Sequence, residues 1–106
     1  MESNMVSNMV SSVNKCGMAK VLMANGDVVP ALKRGDKFLL EELQEYVGGF
    51  IELVPLDGHI MMVVNEEGKL LGMPDNAMAT DINRLFRKSP DVLVGDVVLC
   101  YTDEVD

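Results

Sequence analysis

The chain has 106 residues, of which 48% are hydrophobic and 25% are charged, and its formal net charge is −8. This length supports one domain with one hydrophobic core, and the excess of acidic residues disfavours direct binding to the phosphates of nucleic acids. The two cysteines, at positions 16 and 100, are far apart and in no CxxC pattern, which excludes a disulfide framework and a cysteine zinc site.

The first seventeen residues differ in composition from the rest of the chain. Ser-Asn-Met-Val at residues 3–6 recurs at residues 7–10, and this four-residue step places the Met and Val side chains on one side of a helix. The alternative is a disordered leader, because Ser and Asn are poor helix formers. We therefore expect an appended amphipathic helix or a disordered leader over residues 1–17, and a single domain over residues 18–106.

A β-hairpin is predicted at the start of this domain. Two runs of β-favouring residues, 20–24 and 27–32, flank the pair Asn25-Gly26. An Asn-Gly pair between such runs favours a type I′ turn, in which both central residues have positive φ.

A helix is predicted over residues 39–47, because its four apolar side chains share one face. Gly48 and Gly49 end this helix, one of them in the left-handed conformation, and a strand follows over residues 50–56. The alternative role for the two glycines, a close approach of the backbone to a ligand, lacks the spacing of a known phosphate-binding loop.

Strands and a second helix alternate in the remaining sequence. They are a strand over residues 59–65, a turn at 66–68, a short strand at 69–72, a helix over 77–88 and a strand over 91–101 that is broken at Gly95. The apolar stripe of the helix is formed by Met78, Ile82, Leu85 and Phe86. The order ββ-α-βββ-α-β predicts an α+β domain of two layers, with a mostly antiparallel sheet covered by two helices.

Three blocks of the sequence resemble a family of small uncharacterised domains carried by phages, plasmids and integrative elements. Residues 47–56 match its V-G-G-[YF]-I-E-x-V segment, residues 66–77 match an E-E-G-K-L hairpin followed by an L-P-x-N loop, and residues 92–98 match a V-x-G-D-V strand. The resemblance covers residues 31–99 and implies a fold and a biological setting rather than a reaction. The family loop often continues with Arg, where this chain has Ala77, so a binding role of that Arg does not carry over.

The candidate ligand-binding residues are Asn76 and three bases of the second helix. Asn76 precedes this helix, where its side chain either caps the helix or contacts a ligand. Arg84, Arg87 and Lys88 lie opposite the apolar stripe and would form an anion site with the bases at positions 33, 34 and 37; alternatively, they stabilise the negative end of the helix dipole. Structural roles in turns and in the family pattern are assigned to Asn25, Gly26, Gly48, Gly49, Glu52, Gly68 and Gly95.

No catalytic constellation is found in the sequence. His59 is the only histidine, which excludes a two-histidine metal site within one chain, and its place after Asp57-Gly58 is typical of a turn residue. The adjacent Glu66 and Glu67 are typical of a solvated hairpin. We therefore expect a protein that is not an enzyme and that uses no cofactor and no metal ion.

The expected function is that of an accessory protein of a phage or mobile element, acting by binding. It would occupy a host protein or sequester a small anionic ligand, and the high hydrophobic content suggests a homo-oligomer. A self-assembling structural module is the alternative, and an enzyme subunit is less favoured. A location in the host cytoplasm is expected, without membrane binding, because the sequence has no signal peptide and no apolar run of the ~20 residues that a membrane span needs.

Overall fold

Five strands and two α-helices alternate along the chain in the computed structural model, which describes residues 19–105. In chain order they are β1 (Lys20–Leu22), β2 (Val28–Pro30), α1 (Leu40–Val47), β3 (Ile51–Pro55), β4 (Ile60–Asn65), α2 (Ala77–Arg87) and β5 (Val97–Tyr101). A short 3₁₀ helix, Thr102–Glu104, follows β5. The predicted α+β class and the alternation of hairpins with helices are confirmed. The prediction of a helix or a disordered leader over residues 1–17 lies outside the described residues.

The five strands form one antiparallel sheet in the order β2-β1-β5-β4-β3. The last strand along the chain, β5, is therefore the central one, and its Val98 is paired with Val21 of β1 on one side and with Val63 of β4 on the other. All five side chains of β5 are buried or half-buried. This explains its nearly continuous apolar sequence, because a central strand that is covered on both faces has no side that favours polar residues.

The two helices lie on opposite faces of this sheet. Side chains alternate between the two faces along a strand. On β4, Met61 and Val63 pack in the hydrophobic cluster that contains Leu43 of α1, whereas Met62 packs in the cluster that contains Ala79 of α2. The domain therefore has three layers, helix, sheet and helix, rather than the two that were predicted. The unbroken apolar runs of β4 and β5 are the sequence feature that corresponds to this double coverage.

The β1–β2 hairpin forms as predicted, but with a different turn. The N–H of Met23 donates to the carbonyl of Asp27, and the N–H of Gly26 donates to the carbonyl of Met23, at 2.8 and 2.9 Å. Gly26 has a positive φ of 99°, but Asn25 does not, so the predicted type I′ turn is wrong. The loop is one residue longer, over 24–26, and Asn25 stabilises it by accepting the N–H of Asp27 on its side chain at 2.8 Å.

Residues 69–72 form consecutive turns, so the short strand predicted there is wrong. The N–H of Leu71 donates to the carbonyl of Glu67 at 2.9 Å, and that of Gly72 donates to the carbonyl of Lys69 at 3.2 Å. These local hydrogen bonds replace a strand ladder, and Leu is not among the residues that strongly favour strands. Leu70 and Leu71 bury little surface here, since they are 87% and 60% exposed.

Candidate functional site

Asn76 is a fully buried residue that fixes the beginning of α2. Its Oδ1 accepts the N–H of Ala79 at 3.0 Å, and its Nδ2 donates to the carbonyls of Leu22 and Gly95 at 2.8 and 2.7 Å. Both ends of the carboxamide are thus used by the fold. Of the two roles considered for Asn76, this geometry supports the helix cap, because its carboxamide donor and acceptor groups are all occupied by backbone groups.

The three bases of α2 are all exposed, but they do not act together. Arg84 lies 3.8 Å from Asp81, one turn earlier on the helix, and both side chains are more than half exposed, so this ion pair contributes little. Lys88 is the left-handed residue that ends the helix, with φ 54°. Among these bases, only Arg87 lines the cavity described below.

The second basic group, at positions 33, 34 and 37, lies on the α1 side of the domain. Lys33 is buried, makes an ion pair with Glu104 and lies 5.5 Å from the ring centre of Phe38, which belongs to the cluster beneath α1. Arg34 pairs with Glu42 of α1 at 3.4 Å. Since α2 covers the opposite face of the sheet, the structure does not bring this group together with Arg87 in one anion site.

Only half of the predicted apolar stripe of α2 packs on the sheet: Met78 and Ile82 are half-buried against the cluster that contains Ala79. The buried residues of the helix are Ala79, Thr80 and Asn83, whereas Leu85 and Phe86 are 75% and 45% exposed. The hydrogen bonds of the N-cap residue set this rotation, because they hold the first turn against β1 and the loop before β5. Asn83 follows the cap by seven residues, close to two helical turns, and so it lies on the same inward side.

A cavity of about 200 Å³ opens between α2, the neighbouring sheet face and the segment 91–94. The apolar part of its wall is formed by Val54, Val64, Leu70, Val92 and Leu93, and the charged part by Glu52, Glu66, Lys69, Arg87 and Asp91. Asn65, Asn83 and Val94 complete the lining. Glu52, given a structural role from the family pattern, is thus an exposed residue of β3 at the edge of this cavity.

Asn83 is one of two asparagines that line the cavity. It is only 1% exposed, and its Oδ1 has no hydrogen-bond partner within residues 19–105. An unpaired buried polar group costs about 1–3 kcal/mol, and native proteins retain few of them. The sequence contains one signal that Asn83 faces inward, its seven-residue spacing from Asn76, but the hydropathy pattern does not single it out because it is polar.

The ionisable side chains of the cavity carry opposing charges. Three are acidic and two are basic, which gives a formal sum of −1. None of the five forms an ion pair within 4.0 Å in the described part of the chain. Their charges are therefore available to a ligand, and their near balance suits a molecule of low net charge better than a polyanion. Residues 19–105 contain no group of three or more His, Cys, Asp or Glu side chains that could hold a metal ion.

Gly48 and Gly49 end α1, in agreement with the sequence prediction. Gly48 has a positive φ of 82°, and the N–H groups of both glycines donate to the carbonyl of Gln44, at 2.8 and 3.1 Å. The side chain of Asn65 donates to the last helical carbonyl, that of Val47, at 3.1 Å. A Cβ atom on Gly49 would lie 2.9 Å from Asn65 Nδ2 and would displace that side chain from its contact with Val47. The pair therefore ends the helix and makes room for Asn65.

Gly68 allows the turns at 66–72 to pack closely against the segment that borders the cavity. A Cβ atom on this residue would lie 2.7 Å from Cγ2 of Val94, closer than real Cβ contacts. The backbone N–H of Gly95, in turn, donates to the carbonyl of Pro74 at 2.8 Å. These contacts hold one side of the cavity in position.

The family model of a domain of unknown function, DUF3846, matches residues 18–106. The chain belongs to the DUF3846 family. The resemblance to an uncharacterised domain family is thereby confirmed. No curated protein and no solved structure matches the chain. In this DUF3846 domain, no helix within residues 19–105 has the length and apolar character needed to cross a membrane.

Proposed function

We propose that this DUF3846 domain is not an enzyme and acts by binding a small polar ligand in the cavity beneath α2. The observation that carries the proposal is the unpaired Oδ1 of Asn83, on a residue that is 1% exposed and lines the cavity. This oxygen is itself buried, so a ligand would reach it through a movement of the Asn83 side chain, and its hydrogen bond would then offset the cost of the unpaired acceptor. The lining combines six apolar side chains with two asparagines and five charged residues, so polar groups are available to orient a ligand.

The charges of the cavity lead to a revised proposal for the ligand. A small anionic ligand was expected from the bases of α2, and of these Arg87 is at the cavity, joined by Lys69. The carboxylates of Glu52, Glu66 and Asp91 line the same space and would repel a ligand with several negative charges. We therefore propose a ligand with at most one anionic group, held near Arg87 and Lys69.

Binding without catalysis is favoured by the residues that line the cavity. His59 is exposed at the beginning of β4 and is not among them. Glu52 and Glu66 both line the cavity but make no hydrogen bond to each other in the described structure. A general acid or base requires a positioned partner, and neither residue has one here.

For the biological role, we propose an accessory function in a phage or mobile element, in which the domain sequesters a ligand that the host uses. This setting rests on the resemblance of residues 47–56, 66–77 and 92–98 to domains of such elements. A second candidate, binding to a basic host protein, is favoured by the net charge of −8 together with exposed apolar residues such as Leu70 and Leu85. The same exposed residues are also compatible with self-assembly.

The proposal can be tested by titrating the full-length, ¹⁵N-labelled protein with a library of small polar metabolites. A ligand of the cavity should move the side-chain amide signals of Asn83 and raise the melting temperature. Arg87→Ala should weaken this binding, whereas Arg84→Ala, at an exposed position of the same helix outside the cavity, should not. A library without any compound that affects the Asn83 signals or the melting temperature would refute the proposed function. A ligand that binds equally well to both arginine variants would refute the role of Arg87.

A further inference from the structure

We infer that two copies of this domain associate through β3, by antiparallel pairing of their β3 strands into one continuous sheet. The inference does not depend on the identity of a ligand in the cavity. It rests on the outward backbone groups of β3, on the lack of a comparable row on the other edge of the sheet, and on a register in which β3 is complementary to itself.

The outward backbone groups of β3 follow from its hydrogen bonds to β4. The N–H of Glu66 donates to the carbonyl of Phe50 at 2.8 Å, so these opposite residues form a hydrogen-bonded pair. In an antiparallel ladder such pairs alternate with residues whose N–H and C=O groups point away from the neighbouring strand. Ile51, Leu53 and Pro55 therefore direct their backbone groups outward, and β3 is the last strand of the sheet. Within residues 19–105, no strand pairs with these groups.

The other edge of the sheet, β2, offers less for pairing. The N–H of Ala31 donates to the carbonyl of Ala19 at 2.9 Å, and the same alternation directs the backbone groups of Val28 and Pro30 outward. Proline has no N–H, so of the three residues of β2 only Val28 presents an outward donor. A short strand with an edge proline is a common protection against pairing. Association through the β3 edge therefore closes as a dimer and does not continue as a filament.

A single register makes β3 complementary to itself. When Leu53 lies opposite Leu53 of a second copy, Ile51 lies opposite Pro55, and the outward N–H groups of Leu53 and Ile51 both meet carbonyls. Glu52 then lies opposite Val54. A register centred on Glu52 would place two carboxylates directly opposite each other, which destabilises a strand pair. A register centred on Val54 would place Leu53 opposite Pro55, which has no N–H to donate.

This pairing would cover an apolar side chain at the edge of the sheet. Leu53 is 42% exposed, although Val63, its neighbour on β4, is fully buried in the cluster that contains Leu43 of α1. Directly opposite residues have Cβ atoms ~4.5–5.5 Å apart, so the two Leu53 side chains would shield each other from water.

The dimer should be weak and should depend on salt. One strand from each copy buries less than the ~1,200–2,000 Å² of stable complexes, so the dimer should dissociate on dilution. Each copy has a formal net charge of −8, and salt screens the repulsion between the copies. We therefore expect dimerisation to strengthen with ionic strength, whereas binding to a basic partner would weaken.

The test combines sedimentation velocity with backbone amide hydrogen exchange of the full-length protein, from about 10 μM to about 1 mM. We expect a monomer–dimer equilibrium that shifts toward the dimer at high salt. The amide proton of Leu53 should exchange about tenfold or more slowly in the dimer than in the monomer. The amide proton of Val54 is the internal control, because it points toward β4 and should be protected at every concentration.

Leu53→Pro removes the outward N–H of the central residue without removing a hydrogen bond to β4. It should remain folded and weaken dimerisation by about tenfold or more. Leu85→Ala, at an exposed apolar position of α2, is the matched control and should dimerise as the wild type does. If Leu53→Pro did not fold, the concentration dependence of Leu53 exchange in the wild type would decide alone.

Four results would overturn the inference. They are a monomer at every concentration, an assembly that grows beyond the dimer, protection of the Leu53 amide that does not vary with concentration, and dimerisation that is abolished by Leu85→Ala but not by Leu53→Pro. The third result would show that another segment of the same chain covers the edge, and the fourth would place the interface on α2. All four leave the proposed ligand site to its own test.

Discussion

Replacing Asn83 by leucine should stabilise this protein, although Asn83 is a fully buried polar residue of a helix. The unpaired Oδ1 of Asn83 costs about 1–3 kcal/mol of folding free energy, and leucine has a similar shape without a polar atom. Leucine also has a helix propensity a few tenths of a kcal/mol better than that of asparagine. The expected gain in the free energy of unfolding is therefore about 1–3 kcal/mol. For a domain of this size, each kcal/mol raises the melting temperature by roughly 4–8 °C.

Asn76 provides the matched control, because it is a second fully buried asparagine on the same side of α2. Asn76→Leu removes an N-cap, which costs about 0.5–2 kcal/mol, and leaves the buried carbonyls of Leu22 and Gly95 without their donors. The expected loss is about 3 kcal/mol or more. The same substitution should therefore have opposite effects at two positions separated by seven residues.

Urea unfolding followed by circular dichroism measures both effects in the same buffer. The transition midpoints should move in opposite directions with similar slopes, because neither variant changes the surface exposed on unfolding by much. If Asn83→Leu destabilised the protein by more than about 1 kcal/mol, the Asn83 oxygen would have a structural partner in solution. In that case, the proposed ligand site would lose the observation on which it rests.

Three further predictions concern other buried or titrating groups. Glu104→Gln removes the carboxylate of the buried ion pair with Lys33 and should lower the free energy of unfolding by about 3–5 kcal/mol in urea; a loss below about 1 kcal/mol would contradict the burial of this pair. Burial, and secondarily the Glu104 carboxylate, raises the pKa of the Cys100 thiol to about 12 from 9.0. In a variant without the other cysteine, alkylation of Cys100 near neutral pH should therefore be about a thousandfold slower in the native than in the denatured protein, and equal rates would refute this. Two backbone N–H donors lower the pKa of Asp57 below 3.8. The stabilising contribution of this carboxylate is therefore complete above that pH and is lost as the pH falls through the lowered pKa. Asp57→Asn should reduce the loss of stability measured from about pH 5 to pH 2, and an unchanged loss would count against this reasoning.

The parts of the fold that could be predicted from the sequence are those with local causes. The end of α1 depends on the conformational freedom of Gly48, and the first hairpin depends on the turn at Asn25 and Gly26. The turn type predicted for that hairpin was wrong, because the loop has one more residue than predicted and does not need a positive φ at Asn25. The strand predicted at residues 69–72 was also wrong, because this segment forms turn hydrogen bonds with its own neighbours instead of pairing with another strand.

The arrangement of the helices and the composition of the site depend on contacts between distant parts of the chain. The side chain of Asn76 donates to Leu22 and Gly95, which are 54 and 19 residues away, and these bonds fix which face of α2 meets the sheet. Hydropathy alone indicated a stripe of Met78, Ile82, Leu85 and Phe86, of which Met78 and Ile82 pack on the sheet and the other two are exposed. The two basic groups of the sequence were expected to form one anion site, because the two-layer prediction placed both helices on one side of the sheet. In the structure α1 and α2 lie on opposite sides.

The orientation of α2 carries two energetic costs at once, and both point to binding. Because Asn83 faces inward, a buried acceptor is unpaired, and because Leu85 and Phe86 face outward, large apolar side chains are in contact with water. Turning α2 so that Asn83 left the core would break the three hydrogen bonds of Asn76. The cap therefore helps to hold Asn83 inward. A ligand in the cavity would offset the first cost and a partner surface over Leu85 and Phe86 the second, so the two binding hypotheses concern different residues of the same helix.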